Sequence, residues 1–289
     1  VRLLPRPLAL AFLAPATLLL ALFLVAPVLW ALAQSLTNLT LLGPEALHTR
    51  FVGGRNYLLA ARDPHFWNAL GISAAYVAGS ALVGQTVLGL ALAVLARRAP
   101  GWLASAARTL AVAAWITPSV VVAILWNVYL HGQDGTLNRL LGLIGVSGPN
   151  WLLDYPLLSI IVFNCWRGTA FSMLLFDAAL GTIPASYYEA AAVSGATGWC
   201  QVRDIALPLL RPQILTALLL ITMWTFNDFG PYLLTGGGPS FRTEVVPIYA
   251  YRVAFRDFDL GYGAALSSLL LLVNLVLALA YLRLLRRPA

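Results

Sequence analysis

The chain alternates between long apolar runs and shorter polar stretches, and the runs set the architecture. Six of them, at about 8–34, 68–96, 104–130, 156–182, 213–234 and 262–284, are long enough to cross a bilayer, which takes roughly 20 apolar residues wound as helix. Hydrocarbon offers the backbone no water, so each run is expected to satisfy its own N–H and C=O groups as a helix. The fold class that follows is all-α, a polytopic membrane protein with six transmembrane helices. The first run follows Arg2 and Arg6 and ends near Ala31-Leu32-Ala33, which mimics a leader cleavage site. It exceeds the roughly 7–15-residue apolar core of a signal peptide and reads as a retained helix, kinked at Pro15 and Pro27. Two regions result: 1–67, a first helix and outer loop, and 68–285, a core of five helices.

The polar stretch 186–212 separates the fourth and fifth runs. Ser186 and Glu189 have the spacing of a capping box, and Pro184 cannot continue the preceding helix. Ala190, Ala191 and Ala192 favour helix, and Gly195 supplies a left-handed stop. A second short helix is expected with Trp199, Val202 and Ile205 on one side, closed by Pro208 and Pro212. Glu189-Ala190-Ala191, three residues, Gly195, nine residues, Ile205, one residue, Leu207-Pro208 resembles the Glu-Ala-Ala loop of ABC importer permeases at every position. The resemblance implies that 184–212 is a cytoplasmic coupling helix and turn, seated in a cleft of an ATPase subunit through Glu189, Ala190, Ala191, Gly195, Ile205, Leu207 and Pro208. The alternative is an Ala-rich surface turn between two spans.

Composition agrees with a membrane protein. Apolar residues are 60% of the chain and charged residues 10%, with mean hydropathy +0.82, against about half and a quarter in soluble domains. All eighteen basic residues are arginine. The net charge of +7 calls for no nucleic acid, because arginines flanking spans on the cytoplasmic side give the same sum. With the N-terminus inside, ten arginines fall on the inner side and seven on longer outer loops, with Arg167 inside the fourth run. That bias puts both termini and Glu189 in the cytoplasm. Cys165 lies in an apolar run and Cys200 in the polar stretch, so no disulfide between them is expected.

The outer loops carry turns rather than catalytic motifs. The segment 131–155 holds five glycines around Leu140, Leu141, Leu143 and Ile144 and reads as a re-entrant or interfacial piece. His48, His65 and His131 stand alone, without metal-ligand spacing. Gly236-Gly237-Gly238-Pro239 follows no strand and precedes no Gly-Lys-Ser, so it is a turn and not a phosphate cradle. Together with Thr243, Tyr249-Ala250-Tyr251 and Gly261-Tyr262-Gly263-Ala264-Ala265, the Leu-Leu-Thr-Gly-Gly-Gly-Pro sequence resembles the maltose-type branch of sugar permeases. It is similar to the subunit with the longer outer face, and the resemblance covers 68–285.

Polar side chains within spans are costly and face a cavity or a partner. Asn164, Gly168 and Phe171 share a face of the fourth run, and Trp224, Asn227 and Asp228 a face of the fifth. Amides and carboxylates suit sugar hydroxyls and aromatic faces suit C–H surfaces. The resemblance implies a midplane sugar site near Asn164, Gly168, Phe171, Trp224 and Asn227. The alternative is hydrogen bonding to a second permease subunit. Arg167 and Asp228 are expected to pair, or to share the cavity through water and substrate. Arg167 then either holds sugar hydroxyls or an anionic group, or only locks two spans together.

The function expected is the permease subunit of an ATP-driven carbohydrate importer, in the inner membrane of a prokaryote. It is not an enzyme and binds no cofactor or metal. ATP and Mg belong to two partner ATPase subunits, and a second permease subunit and an extracytoplasmic sugar-binding protein complete the assembly. The alternatives are a proton-coupled secondary transporter using Asp177 or Asp228, an importer of a non-sugar or phosphorylated substrate, and an intramembrane enzyme, for which no catalytic motif is present.

Overall fold

The computed structural model describes residues 6–132, 134–196 and 198–285. Arg2, Arg286 and Arg287, counted above as inner charges, lie outside them. The described chain is helical almost throughout. Only two isolated β-bridges occur among these residues, Thr37 with Phe51 and Thr40 with Asp259. Four unbroken helices are long and apolar enough to cross a membrane: α1 Leu10–Gln34, α3 Pro64–Arg98, α8 Pro156–Leu180 and α14 Leu260–Leu285. Two further pairs reach that length only together. They are α4 Gly101–Ile116 with α5 Ser119–Leu130, bent by 98°, and α10 Trp199–Leu209 with α11 Arg211–Phe226, bent by 75°. The shorter helices are α2 Arg55–Arg62, α6 Thr136–Leu143, α7 Trp151–Asp154, α9 Ala185–Val193, α12 Gly230–Thr235 and α13 Val246–Phe255.

The breaks have local causes. Between α4 and α5, Pro118 forces Thr117 out of the helical region, to ψ 128°. The run expected as one span over 213–234 is divided at 227–229, because Asp228 turns the chain there. Its carboxylate accepts the Gly230 amide at 3.0 Å, and Pro231 starts α12 with no N–H to offer α11. The helix expected to close at Pro208 and Pro212 ends there: α10 stops at Leu209 with Pro208 in its last turn, and Pro212 sits in the first turn of α11, where its missing donor costs nothing.

The chain forms two compact units, one of residues 1–67 with 249–272 and one of 68–248 with 273–289. In the first, Asn56 is buried and donates to the carbonyls of Ser35 and Thr37 at 2.9 and 2.8 Å. Asp63 accepts the hydroxyls of Tyr249 and Tyr262. Partial burial works against its charge, but those hydroxyls and the His65 amide outweigh it and hold the Asp63 carboxyl below its ordinary value. Gly261 lets its backbone approach Leu39, donating to that carbonyl at 2.7 Å. A Cβ on Gly261 would lie 2.4 Å from the Thr37 oxygen.

The second unit is centred on Tyr76, Val122, Ile160, Phe163, Leu234, Val245 and Ile248, all nearly inaccessible. Its closest helix pair is α3 on α8. A Cβ on Gly79 would meet Ile161 at 2.9 Å, on Gly84 the Cys165 sulfur at 2.0 Å, and on Gly89 the Ser172 Cβ at 2.5 Å. Gly79 and Gly84 are five residues apart and would diverge on an α-helix. They coincide here because 77–85 is wound as π-helix, with bonds from i to i+5. Gly84→Ala should therefore cost about 1–3 kcal/mol as an overpacked contact, and adding Cys165→Gly should recover most of it. Melting temperatures of the two variants in detergent check this, and a Gly84→Ala protein as stable as the parent would refute the contact.

Candidate functional site

The second unit contains a cavity of about 260 Å³ walled by four helical segments. α8 contributes Asn164, Arg167, Gly168 and Phe171, at the helical spacing of one face. α11 contributes Ile221, Trp224 and Thr225, the broken end of α4 and start of α5 contribute Trp115, Thr117 and Ser119, and α3 contributes Gln85. Three aromatic rings run along the wall, with Phe171 4.7 Å from Trp224 and 5.5 Å from Trp115 between centroids. The remaining wall is amide, hydroxyl and guanidinium.

Of the residues expected at the site, Asn164, Arg167, Gly168, Phe171 and Trp224 line this cavity, and Asn227 and Asp228 do not. Asn227 stands at the end of α11 and closes an amide pair with Asn274, each Nδ2 donating to the other's oxygen at 2.9 and 3.0 Å. Asp228 sits behind Arg167. Its Oδ1 lies 2.8 Å from Arg167 Nη2 and its Oδ2 accepts the Tyr76 hydroxyl at 2.8 Å. The side chains of Arg167 and Asp228 are 24% and 11% exposed. Asn164 is committed too: its Nδ2 donates to Ser80 and Thr225, and its oxygen accepts Arg167 Nη2 at 3.3 Å.

Gln85 escaped the sequence reading. It is one of a few polar residues in a largely apolar run, and only the opposing glycine explains its place. A Cβ on Gly168 would lie 2.1 Å from the Gln85 amide, so the amide stands where it does because position 168 has no side chain. Thr117 and Trp115 were legible as polar or aromatic positions within the third run, but nothing linear showed that a 98° bend puts them beside α8.

The stretch 184–212 forms a second candidate site. α9 buries none of its residues, and Glu189 and Ala190 are exposed. Its C-terminus is a Schellman stop: Ala196 N–H donates to Ala191 O at 2.9 Å, Gly195 N–H to Ala192 O at 3.0 Å, and Gly195 has φ +80°. The expected capping box does not form. α9 starts at Ala185 with Pro184 as its cap residue and no side-chain cap, so Ser186 is already inside the helix. In α10 the buried face is Val202 and Ala206, continued by Leu210 just past its end, while Trp199 is exposed. The expected face included Trp199 because it omitted the π-wound turn at 202–206, which shifts the stripe.

Arginines tie this stretch to the helices above it. Arg97 and Arg108 both pair with Asp177 near the end of α8, at 3.1 and 2.8 Å, and Arg98 Nη2 donates to Gly198 O at 2.8 Å. No group of three or more His, Cys, Asp or Glu residues that could hold a metal occurs among the described residues.

The buried pair generates a prediction. Arg167→Gln or Asp228→Asn alone leaves one desolvated charge without its partner and should cost about 3–5 kcal/mol. The double substitution should recover most of that loss in detergent melting experiments. Single variants that melt with the parent would show that the pair carries no stability.

The model of the family described as binding-protein-dependent transport system inner membrane component matches residues 85–289. The chain is 33% identical over 288 residues to the sulfoquinovosyl glycerol transport system permease protein of Agrobacterium fabrum, covering 97% of this chain and 91% of that one. It is 32% identical over 266 residues to the trehalose/maltose transport system permease protein of Thermococcus litoralis, covering 90% and 88%. A chain in the crystal structure of a bacterial alginate ABC transporter, in complex with an alginate pentasaccharide-bound periplasmic protein, superposes with TM-score 0.83 at 22% identity. That match covers 97% of this chain and 94% of that one, and the two share a fold.

Proposed function

The chain belongs to the family of binding-protein-dependent transport system inner membrane components, and on that premise we propose that it is the permease subunit of an ATP-driven sugar importer. It is a transport subunit, and the chemistry of ATP and Mg belongs to partner ATPases. The observation that carries the sugar reading is the cavity beside α8, where the adjoining Phe171 and Trp224 rings face amides and hydroxyls. Aromatic faces hold the C–H surfaces of a sugar and the polar groups hold its hydroxyls. Relatives that transport a sulfoquinovosyl glycerol and trehalose or maltose support the same class. The wall of Asn164, Arg167, Gly168, Phe171 and Trp224 is assigned to substrate, with Asn227 and Asp228 positioning it from behind.

The reading includes six spans, α1, α3, α4 with α5, α8, α11 with α12, and α14, with both termini and α9 in the cytoplasm. α9 is the coupling helix. None of its residues is buried, and Glu189, Ala190, Ala191 and the Gly195 stop offer a small-residue surface to an ATPase cleft. Ile205, Leu207 and Pro208 on α10 carry the loop back to the spans. When two ATPase subunits close on ATP, α9 moves with them. The Asp177–Arg97–Arg108 cluster and the Arg98 bond to Gly198 pass that motion to α3, α4 and α8. The cavity then opens outward to receive sugar from an extracytoplasmic binding protein, and hydrolysis returns it. A second permease subunit completes the path, and 68–285 is the permease core. A proton-coupled mechanism is disfavoured because both of its candidate carboxylates, Asp177 and Asp228, are ion-paired.

Two experiments test this. The complex with Glu189→Ala, reconstituted in liposomes with its ATPases and binding protein, should insert and assemble but lose about 10-fold or more in ATP-driven sugar uptake, equivalent to roughly 1.4 kcal/mol of coupling. Normal uptake and hydrolysis would refute the coupling assignment. Cys200 is exposed, and a membrane-impermeant maleimide should label it only after the cell membrane is opened. Labelling from the outside would reverse the orientation.

A further inference from the structure

We infer that the cavity selects an uncharged saccharide, with Gln85 reading its hydroxyls and Asp228 cancelling the charge of Arg167. The inference rests on the reading of this cavity as the sugar site. The relatives leave the charge of the substrate open, since one is named for a sulfonated sugar and another for trehalose and maltose.

The charge balance comes first. Arg167 is the one charged residue in the cavity wall, which by itself would suit an anion. Its guanidinium is already matched by Asp228 at 2.8 Å. Asp228 is in turn held by the Tyr76 hydroxyl and the Gly230 amide. Tyr76 is fully buried and fixed within the core, so the carboxylate cannot swing away. An anionic sugar entering here meets a pair of net charge zero. Drawing Arg167 onto the ligand would strip a nearly buried carboxylate of its cation, and an uncompensated buried charge is the costliest arrangement available. A neutral sugar asks only for hydrogen bonds, and Arg167 has donors to spare: its Nε and Nη1 have no hydrogen-bond partner among the described residues.

Gln85 provides the second, independent observation. The residue is 4% exposed, yet its amide makes no hydrogen bond among the described residues. No buried side-chain nitrogen or oxygen among them lacks a partner, so the Gln85 amide opens onto the cavity. Asn164, by contrast, has its donor and its acceptor engaged within the protein. A buried primary amide left open at a cavity wall offers one acceptor and two donors. That set matches the hydroxyls of a sugar, each both donor and acceptor, whereas a carboxylate or sulfonate, which only accepts, would leave the amide oxygen without a donor. Gly168 fixes where the amide stands, because any side chain there would displace it.

The test reads cavity occupancy directly, so that binding-protein preference does not enter. In the assembled transporter carrying Ser119→Cys, alkylation at position 119 is followed by peptide mass spectrometry. Maltose, trehalose, or a disaccharide with a hexuronate in place of one hexose is added. A neutral disaccharide at about ten times its dissociation constant should slow alkylation roughly 10-fold by occupancy, and the hexuronate should not. Gln85→Leu should abolish the protection by neutral sugar. Asp228→Asn, which frees the Arg167 charge, should transfer protection to the hexuronate. Thr117→Cys serves as the reporter if Ser119→Cys does not assemble. Equal or stronger protection of the parent by the hexuronate overturns the inference while leaving the sugar cavity intact. Protection of the Gln85→Leu protein at the parental level overturns the role of Gln85. Absence of protection by every sugar overturns both the inference and the cavity assignment.

Discussion

An arginine within a membrane-length helix must find an anion, and much of the second unit is arranged around that requirement. Arg167 lies in the middle of α8, and leaving it unpaired at such a depth costs at least roughly 2.5–3.5 kcal/mol. The anion is Asp228, which stands at the right place only because the helix ends at Phe226 and the chain turns through 227–229. The same carboxylate that neutralises the arginine also caps the turn by accepting Gly230 N–H. Tyr76 on α3 completes its coordination. One ion pair thereby fixes the break between α11 and α12, the facing of α3 and the position of the guanidinium at the cavity.

Close approach of α3 and α8 is the second condition. Glycines at 79, 84, 89 and 168 remove the side chains that would hold the helices apart. The π-wound turns on α3 bring two of those glycines into register and carry Gln85 to the cavity edge. Backbone irregularity at membrane depth is tolerated where it is buried in protein or lines a cavity. Both large departures from straight helix beside the cavity, at Thr117-Pro118 and at 227–229, obey that rule.

The two candidate sites are linked by charge at the far end of the same helix. α8 carries Arg167 near its middle and Asp177 near its end, and Asp177 is gripped by arginines from α3 and α4. The exposed helix α9 follows after four residues, and Arg98 holds the loop beyond it. A displacement of α9 therefore has a stiff, ion-paired route to α8, and α8 supplies four of the cavity's wall residues. These contacts are all within one compact unit.

The sequence alone determined the helical class, because runs of about 20 apolar residues have no other way to satisfy their backbone in hydrocarbon. It also determined the Gly195 stop, since a left-handed end demands glycine, and the face of α8 that carries Asn164, Gly168 and Phe171, since that follows from the period along a single helix. What it could not settle depends on where helices break and meet. The capping box was misplaced because the helix starts two residues early, with Pro184 and not Ser186 at its cap. The stripe on α10 was misread because π-winding changes the period. Asn227 and Asp228 left the cavity wall because a side-chain-capped turn interrupts the run that carries them. Gln85 entered the wall because Gly168, more than eighty residues away in sequence, leaves room for its amide. Periodicity is a property of one segment and survives in the linear order. Steric vacancy and charge pairing are properties of two segments, and only the tertiary structure brings those segments together.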